Sequence, residues 1–356
     1  MKREILMRLE FQKLNQQMRA AKYFVLSLLG AAMLLAAGPF TAASAAQQAK
    51  SEMTASAQAT FASPDEAFQA LSAAAKAKDR AALAKLFGPE HEQLLSGDEV
   101  EDNQDLAEFA SAAQESAQLR KVNDNKYTIT FGRDNWPMPV PLGQKGGKWL
   151  FDTKAGLEEV LNRRIGENEL SAIATSRAYA VAQWEYYTEG DWDHDGVAEY
   201  ARKFISTPGH HDGLYWETPE GENPSPLGKL IAAASAEGYV SASQTPAEKG
   251  KGGSDKEEQL SFDRAPYHGY YFKILTRQGP HAPGGKYSYI INGNMIAGYA
   301  LVAYPDKWGN SGVMTFIINQ QGRVYQKNLG PTTGKLASAM TEYNPDPTWK
   351  LVPTEP

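Results

Sequence analysis

The chain has 356 residues, a formal net charge of −6, 42% hydrophobic residues and no cysteine. The hydrophobic fraction is sufficient for a packed core, so a wholly disordered chain is excluded. The absence of cysteine excludes disulfides, thiolate metal sites and cysteine nucleophiles. The acidic balance argues against a nucleic-acid-binding protein, because such proteins carry a basic surface. The length predicts two domains.

The first 45 residues have the three parts of a secretory signal peptide. A basic segment runs to Lys22, an uncharged apolar segment covers 23–37, and Ala43-Ser44-Ala45 offers small residues for cleavage. The alternative is an uncleaved anchor, which would need about 20 apolar residues where this segment has about 15. We therefore expect a periplasmic or secreted protein with no membrane span after cleavage, beginning with a flexible leader over 46–60.

Capping signals and strand patterns predict an N-terminal α+β domain over 61–155. Ser63-Pro64-Asp65-Glu66 is typical of a capped helix start, and Asp79 precedes a second apolar helical pattern. A polar helix over 105–117 and strands over 126–131, 139–142 and 148–152 follow. The last strand, G-K-W-L-F-D from Gly147, is similar to the last strand of the nuclear-transport-factor-2-like superfamily. That resemblance implies a cone-shaped domain.

The remainder, 156–350, is predicted to combine one long helix with an antiparallel sheet, so the fold class is α+β. The helix covers 156–188, a short helix covers 226–236, and strands with tight turns occupy 269–327. The following residues are predicted to form the buried apolar face of the long helix: Leu157, Val160, Leu161, Ile165, Leu170, Ile173, Ala180, Val181 and Trp184. This order of elements loosely resembles the globular heads of pilin-like proteins.

A run of acidic residues after the long helix predicts a cation site. Asp191, Asp193 and Asp195 alternate, Gly196 allows a sharp turn, Val197 offers a carbonyl and Glu199 closes the set. These are oxygen ligands at the spacing of a calcium-binding loop, shorter than an EF-hand because Arg202 stands at the twelfth position. We expect structural calcium. The alternative interpretation is a solvated acidic turn in which Asp191 or Asp193 caps a helix.

Two further groups are candidates for ligand binding. Arg133, Asp134 and Trp136 occur where cone-shaped domains keep a pocket, although Arg133 and Asp134 can also pair with each other. His211 and His268 are candidates for acid–base chemistry near neutral pH if the fold brings them together. The alternative is that His211 belongs to a surface loop, because adjacent histidines in a strand point to opposite faces. No nucleophile motif accompanies either histidine.

Six separated motifs point to one family. They are W-P-M-P-V-P-L from Trp136, R-R-I-G-E-N-E-L from Arg163, H-D-G-L-Y-W from His211, Y-H-G-Y-Y-F from Tyr267, A-Y-P from Ala303 and N-S-G-V-M-T-F from Asn310. With them the chain resembles the bacterial exported proteins described as domain of unknown function 2950. This resemblance implies no activity, substrate or catalytic residue.

The sequence therefore predicts an exported cell-envelope protein that is a non-enzymatic binding or assembly module stabilised by a structural cation. Its expected partner is an envelope protein or polymer, and no nucleic acid. The alternative hypothesis is a periplasmic hydrolase that acts on an envelope polymer through His211 or His268 and a carboxylate.

Overall fold

The computed structural model describes residues 58–190, 192, 196–219, 221–237, 239 and 266–353. The predicted signal peptide, most of the predicted leader and three aspartates of the predicted calcium loop lie outside these ranges. The chain forms two compact units, with the sequence boundary between Arg163 and Arg164. Both units combine helices with antiparallel sheet, which confirms the α+β class. Among the described residues, no helix has the length and apolar character needed to cross a membrane.

The first unit places three helices before a five-stranded sheet. The helices are α1 Pro64–Ala77, α2 Arg80–Phe87 and α3 Glu99–Glu115. The strands are β1 Ala117–Asn123, β2 Lys126–Phe131, β3 Trp136–Pro137, β4 Leu142–Lys145 and β5 Lys148–Phe151. The sheet order is β1-β2-β4-β5, and β3 pairs with β2. Leu71 of α1, Phe131 of β2 and Phe151 of β5 are fully buried in its core.

Local capping explains where these helices begin. The Ser63 hydroxyl accepts a hydrogen bond from the Glu66 amide at 3.2 Å, and the Asp79 carboxylate accepts one from the Ala82 amide at 2.9 Å. Both predicted starts are confirmed. The third helix begins earlier than predicted, because Asp98 caps it through the amide of Val100 at 3.0 Å. It also ends earlier, so that residues 117–123 form β1, for which no strand was predicted.

The second unit contains most of the long helix α4, Thr153–Glu189, together with α5 Gly228–Glu237 and α6 Thr333–Ser338. Its strands are β6 Tyr270–Leu275, β7 Arg277–Gln278, β8 Tyr287–Ser288, β9 Ile290–Ile291, β10 Asn294–Met295, β11 Ala300–Pro305, β12 Met314–Asn319, β13 Tyr325–Asn328 and β14 Lys350–Leu351. The main sheet has the order β14-β13-β12-β11-β6. Every residue of β11 is buried: the strand lies between β12 and β6, α6 packs against it, and the Tyr179 hydroxyl of α4 donates to its Ala300 carbonyl at 3.3 Å.

The buried face of the long helix agrees only in part with the one predicted. Leu170 and Trp184, two members of the predicted apolar face, are 39% and 43% exposed. The other members are only partly buried. From Arg164 onward the buried positions are small, polar or tyrosine: Arg164, Asn168, Ala172, Ala174, Thr175, Ser176, Ala178, Tyr179, Ala182, Gln183 and Tyr186. The prediction was wrong about Leu170 and Trp184, whereas Ile173 and Ala180 do pack against the core. Hydrophobic spacing alone does not reveal polar positions that are buried through hydrogen bonds.

Polar side chains on this face bond to backbone groups of irregular segments. The Asn168 amide donates to the Ser311 carbonyl at 3.1 Å, and the Glu169 carboxylate accepts from the amides of Val313 and Met314 at 3.0 Å. Further along, Gln183 donates to the Ala201 carbonyl at 2.7 Å and accepts from the Ala201 amide at 2.9 Å. Because Ala201, Ser311 and Val313 lie outside regular strands, the helix supplies their backbone groups with the partners that a strand ladder would otherwise give.

Replacing Gln183 tests this account. Gln183 is fully buried, so Gln183→Leu leaves the amide and carbonyl of Ala201 unpaired and should lower the free energy of unfolding by about 2–4 kcal/mol. Leu170→Gln, at an exposed position of the same helix, should change it by less than about 0.5 kcal/mol. Urea denaturation of both variants measures the difference. Equal effects, or a larger effect for Leu170→Gln, would contradict the assignment of the buried face.

Candidate functional site

Three aromatic rings form one wall of a cavity in the second unit. We call Trp192, His211 and Trp216 the aromatic wall. The His211 ring stacks on Trp216 with centroids 4.3 Å apart and planes at 22°. Trp192 packs against both, at 4.9 Å from Trp216 and 5.4 Å from His211. The three rings therefore pack against one another.

The end of α4 positions this wall through Tyr186. The Tyr186 hydroxyl donates to the backbone carbonyl of His211 at 2.7 Å. The Trp192 indole donates to the backbone carbonyl of Tyr186 at 2.9 Å. The Tyr186 ring also contacts Trp192 and Trp216. Since Tyr186 is buried, this one residue of the helix contacts all three residues of the aromatic wall.

A hydrogen-bonded loop over 203–216 carries His211 and Trp216. Asp212 accepts from the Lys203 ammonium at 2.6 Å and from the Thr207 amide at 2.7 Å. Burial raises the pKa of the Asp212 carboxyl, but the hydrogen bonds from Lys203 and Thr207 outweigh it, so the pKa lies below its ordinary value of 3.8. At Gly213 a Cβ atom would lie 2.7 Å from the backbone of Ile205 and Ser206. Only glycine at position 213 allows the loop to approach the backbone of Ile205 and Ser206 this closely.

The cavity has a volume of about 530 Å³, within the usual range for small-molecule sites. Besides the aromatic wall, its lining includes Glu189, Thr218, Gly221, Glu222, Asn223 and Pro224. Among the described lining residues there are two carboxylates and no lysine or arginine. The site therefore combines aromatic rings with hydrogen-bond acceptors and negative charge.

His268 lies in a separate cluster. Its Nε2 atom is 3.1 Å from the carboxylate of Glu237, and its Nδ1 atom is 3.5 Å from the hydroxyl of Tyr239. The Tyr267 hydroxyl donates to the same carboxylate at 3.2 Å. Burial, with the nearby charge of Glu237, raises the pKa of Tyr267 well above its ordinary value. His268 has a backbone φ of 45°, a conformation that non-glycine residues seldom adopt.

The two histidines predicted as a pair thus have different partners. His211 stacks on tryptophan, while His268 contacts a carboxylate, and Asp212 bonds to Lys203. Among the described contacts, none joins His211 to His268 or either histidine to Asp212. Glu237 is the carboxylate that sequence reasoning missed, since it reaches His268 across 31 positions of sequence and no local motif marks it.

The predicted group in the first unit has an exposed arrangement. Arg133 forms an ion pair with Glu115 rather than with Asp134. Both Arg133 and Asp134 are exposed. Trp136 lies under the guanidinium of Arg163, 4.9 Å from the ring centroid. These contacts account for Arg133 and Trp136 without a ligand.

Two ligands of the predicted calcium loop fall within the described residues. The Glu199 carboxylate accepts a hydrogen bond from the Met295 amide at 2.8 Å, and the Tyr200 amide donates to the Met295 carbonyl at 2.8 Å. Val197 is half-buried. Asp191, Asp193 and Asp195 lie outside the described residues. In the part of the chain that the structure describes, no three histidine or acidic side chains are grouped to hold a metal ion.

Trp192, Trp216, Glu189 and Glu222 were not singled out from the sequence. Trp216 ends one of the motifs quoted above and Trp192 stands inside the acidic run, which are the only local signals for either. Tyr186 and the 203–216 loop bring these residues together, and such tertiary contacts leave no periodic pattern in the sequence.

The comparisons with known proteins give the family. The family model described as "Protein of unknown function (DUF2950)" matches residues 58–352. No curated protein and no solved structure matches this chain. The chain belongs to this family of unknown function, as its motifs indicated.

The pH dependence of the free energy of unfolding tests whether the contacts of Asp212 stabilise the fold. A lowered pKa in the folded state means that the stabilisation is complete above the ordinary value of 3.8 and is lost as the pH falls through the lowered value. Asp212→Asn should therefore reduce the free energy of unfolding by about 1–2 kcal/mol at neutral pH, with a difference from the native protein that shrinks below about pH 4. Urea denaturation at several pH values between neutral and acid measures this difference in the free energy of unfolding. A difference that stays constant with pH, or an equal loss in the exposed control Asp134→Asn, would contradict this role.

Proposed function

We propose that this family member is an exported binding or assembly module of the cell envelope that takes its ligand in the cavity of the aromatic wall. The observation that carries the proposal is the stacked group of Trp192, His211 and Trp216 facing a cavity of about 530 Å³. Large, rigid rings supply contact area at low entropic cost, which is why they dominate recognition sites. The proposed partner is an envelope protein or polymer.

The proposed location is the periplasm or the exterior, reached by a cleaved signal peptide. Its support is the sequence: a basic segment, an apolar segment of about 15 residues, too short for a span, and Ala43-Ser44-Ala45 at the cleavage position.

We also propose that the acidic run binds structural calcium through Asp191, Asp193, Asp195, Val197 and Glu199. The spacing of the oxygen ligands supports this proposal. Trp192 stands between the first two aspartates and is part of the aromatic wall. An ion held there would order the backbone on both sides of Trp192 and thereby stabilise the cavity.

For the folds of the two units, we propose a cone related to nuclear transport factor 2 and a head related to pilin-like proteins. The first is supported by three helices before an antiparallel sheet, and the second by a long helix packed on an antiparallel sheet.

A hydrolase is the second candidate function. The contact between His268 and Glu237 at 3.1 Å favours it, because a carboxylate that orients an imidazole is a common element of acid–base sites. The strained backbone of His268 is a second feature typical of functional sites. In this alternative the substrate is an envelope polymer.

Saturation-transfer NMR of the purified chain with fractionated envelope components tests the binding function. At least one component should receive magnetisation from the native protein, and binding should weaken about tenfold or more in Trp216→Ala. Trp308→Ala, outside the cavity, should bind normally, and near-ultraviolet circular dichroism of all three proteins checks folding. If no component binds, or if Trp216→Ala binds as well as the native protein, the binding function is wrong. Cleavage of a component that His268→Gln abolishes would establish the hydrolase instead.

Removal of calcium tests the proposed ion. With a dissociation constant of about 0.1 mM, typical of exported sites, about 1 mM calcium adds roughly 1.4 kcal/mol to the free energy of unfolding. A chelator should therefore lower the melting temperature of the native protein and have no effect on Asp193→Ala. Unchanged melting of the native protein in chelator, with Asp193→Ala equally stable, would contradict the site.

A further inference from the structure

The cavity beside the aromatic wall has a one-sided electrostatic character. The faces of aromatic rings carry negative potential, and two indoles and an imidazole form one wall. Glu189 and Glu222 line the same cavity. Among the described lining residues there is no lysine or arginine to balance them. Every strong electrostatic feature described in this cavity therefore attracts positive charge.

We infer that the cavity binds an alkylammonium group, either of a small molecule or of a lysine side chain. This inference rests on the proposed binding function and names the chemistry of its ligand. A cation within about 6 Å of an indole face is attracted by the ring quadrupole, and tryptophan is the strongest such partner. The carboxylates add a Coulombic attraction that a neutral ligand would not gain.

Two other ligand classes fit less well. An anion would meet the carboxylates of Glu189 and Glu222 without a basic partner in the described lining, which is repulsive. A neutral sugar could stack on an indole and donate hydroxyls to the carboxylates, but it would not gain the Coulombic attraction that the two negative charges offer a cation. The alkyl carbons of an alkylammonium group would contact the aromatic wall, and its positive charge would attract the carboxylates.

The geometry of the wall also limits how the ligand binds. His211 and Trp216 are stacked at 22°, and Trp192 packs against them at 55° to Trp216. Because the rings pack against each other, the cation would contact the ring surfaces that line the cavity, together with the carboxylates of Glu189 and Glu222. Tyr186 and the 203–216 loop hold the rings in this arrangement before a ligand arrives, so little ordering cost opposes binding.

Isothermal titration calorimetry with choline chloride tests the inference at about pH 8, where ordinary imidazoles are neutral. The native protein should bind choline with a dissociation constant on the order of 1 mM or tighter. The neutral isostere, with carbon in place of the ammonium nitrogen, should bind at least about tenfold more weakly. A third titration uses the amide of Nα-acetyl-lysine. Tighter binding of choline indicates a quaternary small molecule, and tighter binding of the lysine derivative indicates a peptide side chain.

Matched variants locate the binding. The double variant Glu189→Gln with Glu222→Gln should bind choline about tenfold more weakly, whereas Glu217→Gln, which changes a neighbouring exposed carboxylate outside the lining, should stay within about twofold. Trp216→Phe keeps a ring of weaker quadrupole and should weaken binding severalfold without unfolding the loop. Equal binding by the Glu189 and Glu222 double variant would overturn the inference.

The outcomes separate this inference from the binding function on which it rests. The alkylammonium inference is wrong, and the binding function stands, in either of two outcomes. In the first, the neutral isostere binds as well as choline. In the second, choline does not bind while an envelope component still binds through Trp216. If neither choline nor any envelope component binds, both are wrong.

Discussion

The second unit depends on the buried polar face of its long helix. Asn168, Glu169 and Gln183 each bond to backbone amides or carbonyls of segments that belong to no regular strand. An unpaired backbone group in a core costs about as much free energy as a lost hydrogen bond. The irregular segments can therefore be buried only where side chains pair with their backbone groups. The helix is therefore more than a hydrophobic cover for the sheet, because it completes the hydrogen bonding of the loops around it.

Residues of three of the six family motifs contact one another at this helix. Asn168 donates to Ser311, and a Cβ atom at Gly269 would lie 2.7 Å from the Asn168 amide nitrogen. A Cβ atom at Gly312 would lie 2.1 Å from the hydroxyl of Tyr270, which itself donates to the Met314 carbonyl. Close packing and hydrogen bonding at a junction of the fold account for the residue types at these positions. The same helix reaches the cavity at its other end, where Tyr186 orients the aromatic wall.

Features that depend on neighbours in sequence were predicted well. Ser63 and Asp79 begin helices as their capping patterns indicated, and the antiparallel strands near 126–131 and 314–319 follow from their composition. The buried face of α4 was not predictable, because Gln183 is polar by composition and is buried only through its bonds to Ala201. The cavity was missed for the same reason. His211 was recognised as a candidate, but its actual partners, Trp192 and Trp216, are brought to it by tertiary contacts.

Native-state hydrogen exchange tests the central role of the helix most directly. The amides of Ala201, Val313 and Met314 donate to side chains of α4. The account predicts that Ala201 and Val313, although outside regular strands, exchange only when the whole second unit unfolds, as slowly as the buried amides of β11. Exchange of these amides at the rate of exposed loops, while β11 stays protected, would show that the side chains of α4 do not hold the segments around them.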